Sequence, residues 1–447
     1  MPDAKSDSLT TALLKFFACF VLVIVVLLLE LIQRSIFSKA SIESIKQLQE
    51  NDAKSTVGFF KFIYFLGDAR CYYVLVMLFF NFFSRQTSFY LSLVISQCVF
   101  VETFLKLVLR AGRPYMKTSK IFPFVCELSF GNPSGESMMA VAFVIVVGLY
   151  VINKLKDQQD DLTDRQKVSL AITIIFSIMM IILFSIQGSY NGNNTIDEIL
   201  FGIELGLMIG CFSHFYVLPR LDKHLTNLMD GIFINRYRQV CVGSLVMVMM
   251  TFIVTTIAYM ASVSSFQPEY QWLYQISVKC PVSKQLNELV FHDAVYVEIG
   301  FIFYTFGSYL GLVIDSKEYK GTHRTVNSTG VKQTLIRLAI SILLIVPLYI
   351  LPIFLIKSAR FVLLVLLVKY GLPSFLIGFV LYGYSKLLYK RFNLISDDML
   401  NDSNVSFASR QESDEDDDKP GNNRMTLRKD KTLEEYDKNM KKNINTF

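Results

Sequence analysis

The chain has 447 residues, 52% of them hydrophobic, with 38 Phe, 22 Tyr and a mean hydropathy of +0.41. That balance excludes an ordinary soluble globule and points to a stack of membrane helices. The net charge of +6 is dispersed through loops that flank apolar stretches, so it indicates membrane anchoring and no nucleic-acid partner.

Apolar stretches of about 17–25 residues are long enough to cross the hydrocarbon core as helices. Ten can be read, near 12–33, 69–84, 88–110, 134–153, 168–187, 197–218, 240–263, 296–314, 334–356 and 361–386. Nine is nearly as defensible a count, because the second is short. The Phe59-Phe60-Lys61-Phe62-Ile63-Tyr64-Phe65 run before it reads either as an interfacial helix or as its first turns. The first stretch has no small-residue cleavage site before its polar flank, which makes it an anchor and not a removed signal peptide. The expected fold class is all-α, a polytopic membrane helix bundle.

Orientation follows from the loops. Lys154, Lys156, Arg165, Lys167, Arg220, Lys223, Arg236, Arg238, Lys317, Lys320, Arg324 and Lys332 share one side with both termini, which is read as cytoplasmic. The opposite face carries the 264–295 loop with Lys279 and Lys284, but also a 37–68 loop with Lys39, Lys46, Lys54 and Lys61, which conflicts with the rule. The chain divides into an anchor span and outer-face loop (1–56), a helical core (57–220), additional spans (221–390) and a tail (391–447). The tail, with acidic Ser413-Asp-Glu-Asp-Asp-Asp418 and a Lys-rich end, has too little apolar surface to order itself. Ser413 before the acidic run is a candidate kinase site.

The cysteines have no metal-ligand spacing, and neither a metal nor another cofactor is expected. Cys19, Cys98, Cys211 and Cys241 fall in apolar spans and act as small apolar residues. Cys126 and Cys280 fall in loops on the outer face, where a disulfide is chemically allowed.

Two polar islands interrupt the apolar pattern at span ends. The first is Lys106-Leu-Val-Leu-Arg-Ala-Gly-Arg113-Pro114, followed by Pro133-Ser134-Gly135-Glu136. The second runs from Gln187-Gly188-Ser189-Tyr190 through Asn191-Gly192-Asn193-Asn194-Thr195-Ile196 to Asp197-Glu198. Lys106 and Arg113 are cations suited to a phosphate, Arg113 bidentately. Ser134 and Gly135 open a span whose free N–H groups form an anion cradle.

Order and spacing resemble the type 2 phosphatidic acid phosphatase/haloperoxidase superfamily, whose signature reads Lys-x6-Arg-Pro, then Pro-Ser-Gly-His, then Ser-Arg-x5-His-x3-Asp. The resemblance covers residues 57–220, and the later spans match only by hydropathy. It implies a phosphatase-like helical core whose phosphate-binding remnants are Lys106, Arg113, Ser134 and Gly135. It also implies that the chemistry has gone. Glu136 stands where the family has its general acid, Gly188 where it has a second arginine, Asn194 at the nucleophilic histidine and Glu198 at the aspartate that orients it. Shifting the register by one pairs Asp197 with that aspartate and puts Asn193 at the nucleophile, with the same consequence. Cys126-Glu127 and the span number are similar to the glucose-6-phosphatase-like branch, and sphingolipid-phosphate phosphatases are similar in span number.

An amide has no basic nitrogen lone pair and cannot form a phospho-enzyme. Two structural readings follow. Either Glu136 and Glu198 pair with Arg113 and Lys106 as a charge-balanced plug, or a phosphate pocket persists. Glu102, one turn before Lys106, has the favourable order for an intrahelical pair. Among the histidines, His214 lies in a span and His224 and His323 in cytoplasmic loops. Only His292, beside Asp293 in the outer loop, is on the right side, most simply as an exposed loop pair. Glu204 and Glu298 are intramembrane charges that keep a transporter reading open. Sequons occur at Asn193-Asn194-Thr195, over the islands, and at Asn327-Ser328-Thr329.

The functional expectation is a non-catalytic relative that binds a membrane lipid, a phosphorylated lipid or sugar ligand, or a partner protein. It would sit in the endoplasmic reticulum or another secretory-system membrane, with the islands lumenal or extracellular. A working lipid-phosphate or sugar-phosphate phosphatase with unconventional residues is the alternative.

Overall fold

A computed structural model describes residues 9–50, 54–158, 164–229, 237–281, 289–318, 330–355 and 361–394. Ser413, Asn327, His323 and Lys284 lie outside them. The described chain is helical throughout, as α1 (Leu9–Glu50), α2 (Lys54–Gly67), α3 (Ala69–Phe82), α4 (Arg85–Leu109), α5 (Pro114–Lys117), α6 (Gly135–Gln158), α7 (Asp164–Tyr190) and α8 (Ile196–Phe212). There follow α9 (Leu218–Met229), α10 (Tyr237–Ser265), α11 (Tyr270–Lys279), α12 (Val290–Glu298), α13 (Ile302–Glu318), α14 (Val331–Leu355), α15 (Val362–Leu364), α16 (Leu372–Gly383) and α17 (Ser385–Arg391). Eight helices are long and apolar enough to cross a membrane, and ten spans result if each of two bent pairs counts as one. This is an integral multi-pass membrane protein.

The bent pairs correct one expectation. The described residues between 37 and 68 are helical and not a loop: α1 bends by 60° and continues as Ala40–Glu50, and α2 meets α3 at 62°. The continuation is helical because it has something to bury and something to grip. Ile45 is fully buried, and Lys46 lies 3.6 Å from Glu43 and 3.7 Å from Glu50. The same segment straps the islands together. Gln49 donates to Phe122 O at 2.8 Å and to Tyr190 O at 3.2 Å, while Ser41 Oγ accepts from Ile196 N. Earlier in α1, buried Glu30 accepts from Asn132 Nδ2 at 2.7 Å. The aromatic run 59–65 lies within α2.

Helices α6 and α8 form the centre of the island-bearing half. Their backbones touch: a Cβ added at Gly202 would fall 2.5 Å from Ser134 O, and one at Gly206 would fall 2.5 Å from Met138 O. Small residues at successive turns permit that approach, the usual device for packing helices where lipid supplies no hydrophobic contrast. In the other half, α13 and α16 pack together closely. Helices α7 and α10 leave most of their apolar surface uncovered by protein, as lipid-facing spans do. Glu204 is accounted for within the bundle, where it accepts a hydrogen bond from Gln33 across α1 and α8.

Candidate functional site

Five chain segments converge at one end of α4, α6, α7 and α8. Helix α4 stops at Arg110, a left-handed cap with φ of 49° whose N–H bonds Lys106 O. Pro114 then starts the short α5, since a proline at the first helical position loses no hydrogen bond. The 118–134 segment leads into α6. Gly192, with φ of +73°, turns the chain between α7 and α8. Lateral support comes from α11, whose Lys279 ammonium donates to the carbonyls of Tyr115, Thr118 and Ile121 at 3.0, 2.6 and 2.8 Å. The Cys126–Cys280 disulfide, Cα–Cα 5.8 Å, ties the same helix to the 118–134 segment, so that pairing is present.

Lys106 and Arg113 do reach one locus, and both are neutralised there. Lys106 Nζ lies 2.6 Å from Glu102, 3.8 Å from Glu127 and 3.4 Å from Ser129 Oγ. Arg113 is more fully engaged. Nε donates to Ser129 O at 2.8 Å and one terminal nitrogen to Asn193 O at 3.1 Å. The other meets the Glu127 carboxylate, Ser129 Oγ at 2.8 Å and Phe130 O at 3.2 Å. At 1–2% exposure the side chains of both cations are spent on protein acceptors. Burial alone would raise the Glu127 carboxyl, yet Arg113, Lys106 and the Ser129 hydroxyl (2.7 Å) outweigh it and hold it below its ordinary value.

The anion cradle at the start of α6 is filled. A Cβ added at Gly135 would sit 1.8 Å from Glu102 Oε1, so the Glu102 carboxylate rests against the first residue of the helix. A negative group there complements the helix dipole, in the place a phosphate would use. Ser134 is buried, its hydroxyl 3.1 Å from Ser137 Oγ and 3.3 Å from Glu136 Oε2.

In the second island the polar side chains bond within the protein. Asn194 Nδ2 donates to Gly131 O at 2.8 Å and to Glu198 Oε2 at 3.4 Å. Glu198 also accepts from Thr195 N at 3.0 Å, as an N3 carboxylate does when it caps its own helix. Gly188 faces Asn194: a Cβ there would lie 3.3 Å from its Oδ1, leaving no room for a second arginine without rearrangement.

The expected pairing of Glu136 and Glu198 with Arg113 and Lys106 is therefore wrong in its partners. Nearer carboxylates, Glu102 one turn back and Glu127 beside Ser129, hold the cations first, leaving Glu198 to cap α8 and Glu136 to face a cavity. The sequence singles out Glu127 only through the Cys126-Glu127 pair, with no role attached to the carboxylate. The His292–Asp293 pair is not exposed either. His292 is buried on α12 against the rings of Phe130 and Phe266, and Asp293 accepts from Tyr259 at 2.7 Å. Neither residue lines the cavity. Asn193 is fully buried, so the first sequon is closed in the folded chain.

The cavity, about 230 Å³, is walled by α2, α3, α4, α6, α12 and the segment carrying Glu127. Asp68, Glu102, Glu127, Glu136 and Glu298 line it, with Arg70 as the cation in its wall. A dianion entering it would meet carboxylates. Among the described residues no group of three or more His, Cys, Asp or Glu side chains is placed to hold a metal ion.

Residues 86–221 match the family model of the PAP2 superfamily. Among solved structures, the chain is similar to a transmembrane PAP2-type phosphatidylglycerolphosphate phosphatase from Bacillus subtilis. Identity is 19%, with 46% of this chain and 96% of that chain covered, and the TM-score is 0.34. A likeness that loose transfers nothing about the site. No curated protein matches the chain.

Proposed function

With residues 86–221 as a PAP2 superfamily core in a multi-pass membrane protein, we propose that the chain is a catalytically inactive relative. In this reading the former phosphate site is an internally neutralised structural joint. The observation that carries it is the saturation of Arg113: five donor contacts end on protein oxygens, and Glu127 is the counter-ion. A substrate phosphate would have to displace them all, against Glu102 already seated on α6. Asn194 donates where a nucleophile is needed and has no basic nitrogen to attack phosphorus. The retained role is binding, to a membrane lipid or a partner protein. The same saturation weighs against a phosphorylated ligand.

A working phosphatase is the second reading, and Glu136 favours it, because this carboxyl lines the cavity where a general acid would act. Purified full-length protein in lipid–detergent micelles, offered phosphatidate, a sphingoid-base phosphate and glucose-6-phosphate, separates the two. No turnover above a no-protein control is expected. Turnover abolished by Arg113→Ala would end the inactive reading.

We further place the island face in the secretory lumen or outside the cell, supported by the Cys126–Cys280 bond, which persists in oxidising compartments. Labelling of those two thiols by a membrane-impermeant reagent, after mild reduction of intact cells or sealed secretory vesicles, should depend on which side the reagent is given. Labelling from the cytoplasmic side reverses the orientation.

A further inference from the structure

The cavity beside the neutralised joint has the wrong sign for phosphate, and its charges do not balance. Three of its five carboxylates have cations: Asp68 pairs with Arg70 at 2.5 Å, Glu102 with Lys106 at 2.6 Å and Glu127 with Arg113. Glu136 and Glu298 make no ion pair of their own among the described residues: Lys106 acts on both and Arg113 on Glu136, but these cations are already held by Glu102 and Glu127. Glu136 is 9% exposed, its Oε2 receives a hydrogen bond from Ser134, and its side chain lines the cavity. Carboxylates withdrawn from bulk water without a cation are costly, and something must neutralise them.

Protons would do so but would leave the space unexplained. A volume of about 230 Å³ exceeds the roughly 150 Å³ that accommodates a benzene-sized guest. The rest of the wall suits a particular kind of guest. Tyr64, Phe301 and Tyr370 supply rings, and Val99, Met139 and Val297 supply apolar surface. Carboxylates with aromatic faces form the environment of an organic ammonium group, which needs acceptors for its N–H donors and π-faces for its charge. A bare divalent ion would require several oxygens drawn close together, and the described residues offer no such group.

We infer that this cavity is a binding site for an alkylammonium group, held by Glu136 and Glu298. The inference rests on the reading that the phosphate site is neutralised, and it names the ligand class that the altered pocket takes. The shared chemistry is a primary amine on a short carbon chain, either free or as the headgroup of an amine-bearing lipid.

The test uses full-length protein in phosphatidylglycerol nanodiscs, titrated with ethylammonium chloride against sodium chloride at equal ionic strength. The readout is the thermal transition followed through Trp272, the chain's single tryptophan. A saturable upward shift specific to ethylammonium is expected. Its midpoint should rise at least about tenfold in Glu136→Gln/Glu298→Gln, as loss of a buried charge partner requires. Ala294→Phe, which fills the cavity without removing a charge, should also abolish the shift. If doping the nanodiscs with phosphatidylethanolamine suppresses the ethylammonium response, the natural source is a lipid headgroup. An undiminished response assigns a free amine. No ethylammonium-specific shift, or a shift that survives in both variants, overturns the inference. If that happens without phosphate-ester turnover, the inactive reading still stands; turnover would instead remove the premise.

Discussion

Replacing Glu127 by Ala should be among the most damaging single changes at the site, although the residue matches none of the three signature motifs. The substitution strips Arg113 of its counter-ion, removes the second carboxylate near Lys106, and leaves the hydroxyls of Tyr64 and Ser129 without an acceptor they now use at 3.2 and 2.7 Å. Breaking a buried pair from one side costs about 3–5 kcal/mol. The carboxylate side chain is 16% exposed, and Arg113 keeps the carbonyls of Ser129, Phe130 and Asn193, so the low end, about 3 kcal/mol, applies. For a chain of this size that corresponds to a fall in apparent Tm of about 3 °C. Trp272 fluorescence during heating in detergent is a suitable assay, because the indole packs within 2.5 Å of where a Gly112 Cβ would be. Arg113→Met alone should cost a similar amount, and the Glu127→Ala/Arg113→Met double variant should lose less than the two added, with coupling of about 2 kcal/mol. A Glu127→Ala protein that melts like the native one, or strictly additive losses, would refute the neutralised joint.

The remaining expectations concern the frame around it. Because the folded Glu127 carboxyl is held below its ordinary value of 4.5, its contribution is complete above that value and is lost as pH falls through the depressed one. The Tm gap between native protein and Glu127→Gln should therefore be constant from pH 7 to about 5 and shrink below about 4; a gap that widens on acidification contradicts the sign. Cys126→Ser opens a loop of 154 residues, for which the chain-entropy view gives about 4–5 kcal/mol. The non-reduced native protein should migrate faster in electrophoresis than the variant, and equal migration would mean the bond does not form. Gly135→Ala drives a Cβ into Glu102 and should cost several degrees in Tm, whereas Gly148→Ala, with nothing within 4 Å, should be silent.

Much of the frame was legible before any coordinates. Span positions came from apolar run length alone, and the two islands came from polar residues interrupting that pattern. The Glu102–Lys106 pair followed from spacing within one helix, where one turn fixes which side chains meet. What could not be read was set by contacts between segments distant in sequence. Lys106 lies 21 positions from Glu127 and Arg113 lies 14, with a non-helical segment between, so no periodicity brings them together. The 37–68 stretch failed for a related reason. Its Ile42 and Ile45 sit one helical turn apart among lysines, and apolar run length does not detect a helix that buries so narrow a stripe. His292 was misplaced because position in a loop suggests exposure, while aromatic cover is a fact of packing.

On the proposed inactive reading, retention of Lys106 and Arg113 follows from the energetics of burial. A buried asparagine is satisfied locally, as Asn194 is by Gly131 O, because an amide is neutral and needs only an acceptor. A buried cation has no such exit. Deleting Lys106 strands Glu102 against α6, and deleting Arg113 strands Glu127 together with three carbonyls. Each cation is thus locked by its own anion, and the pair resists change more strongly than a neutral side chain such as Asn194 does. A phosphate-binding motif in a membrane helix bundle therefore argues for phosphate chemistry only where its cations are free of nearer carboxylates. In this chain both cations are taken, and the carboxylates that remain without cations face the cavity.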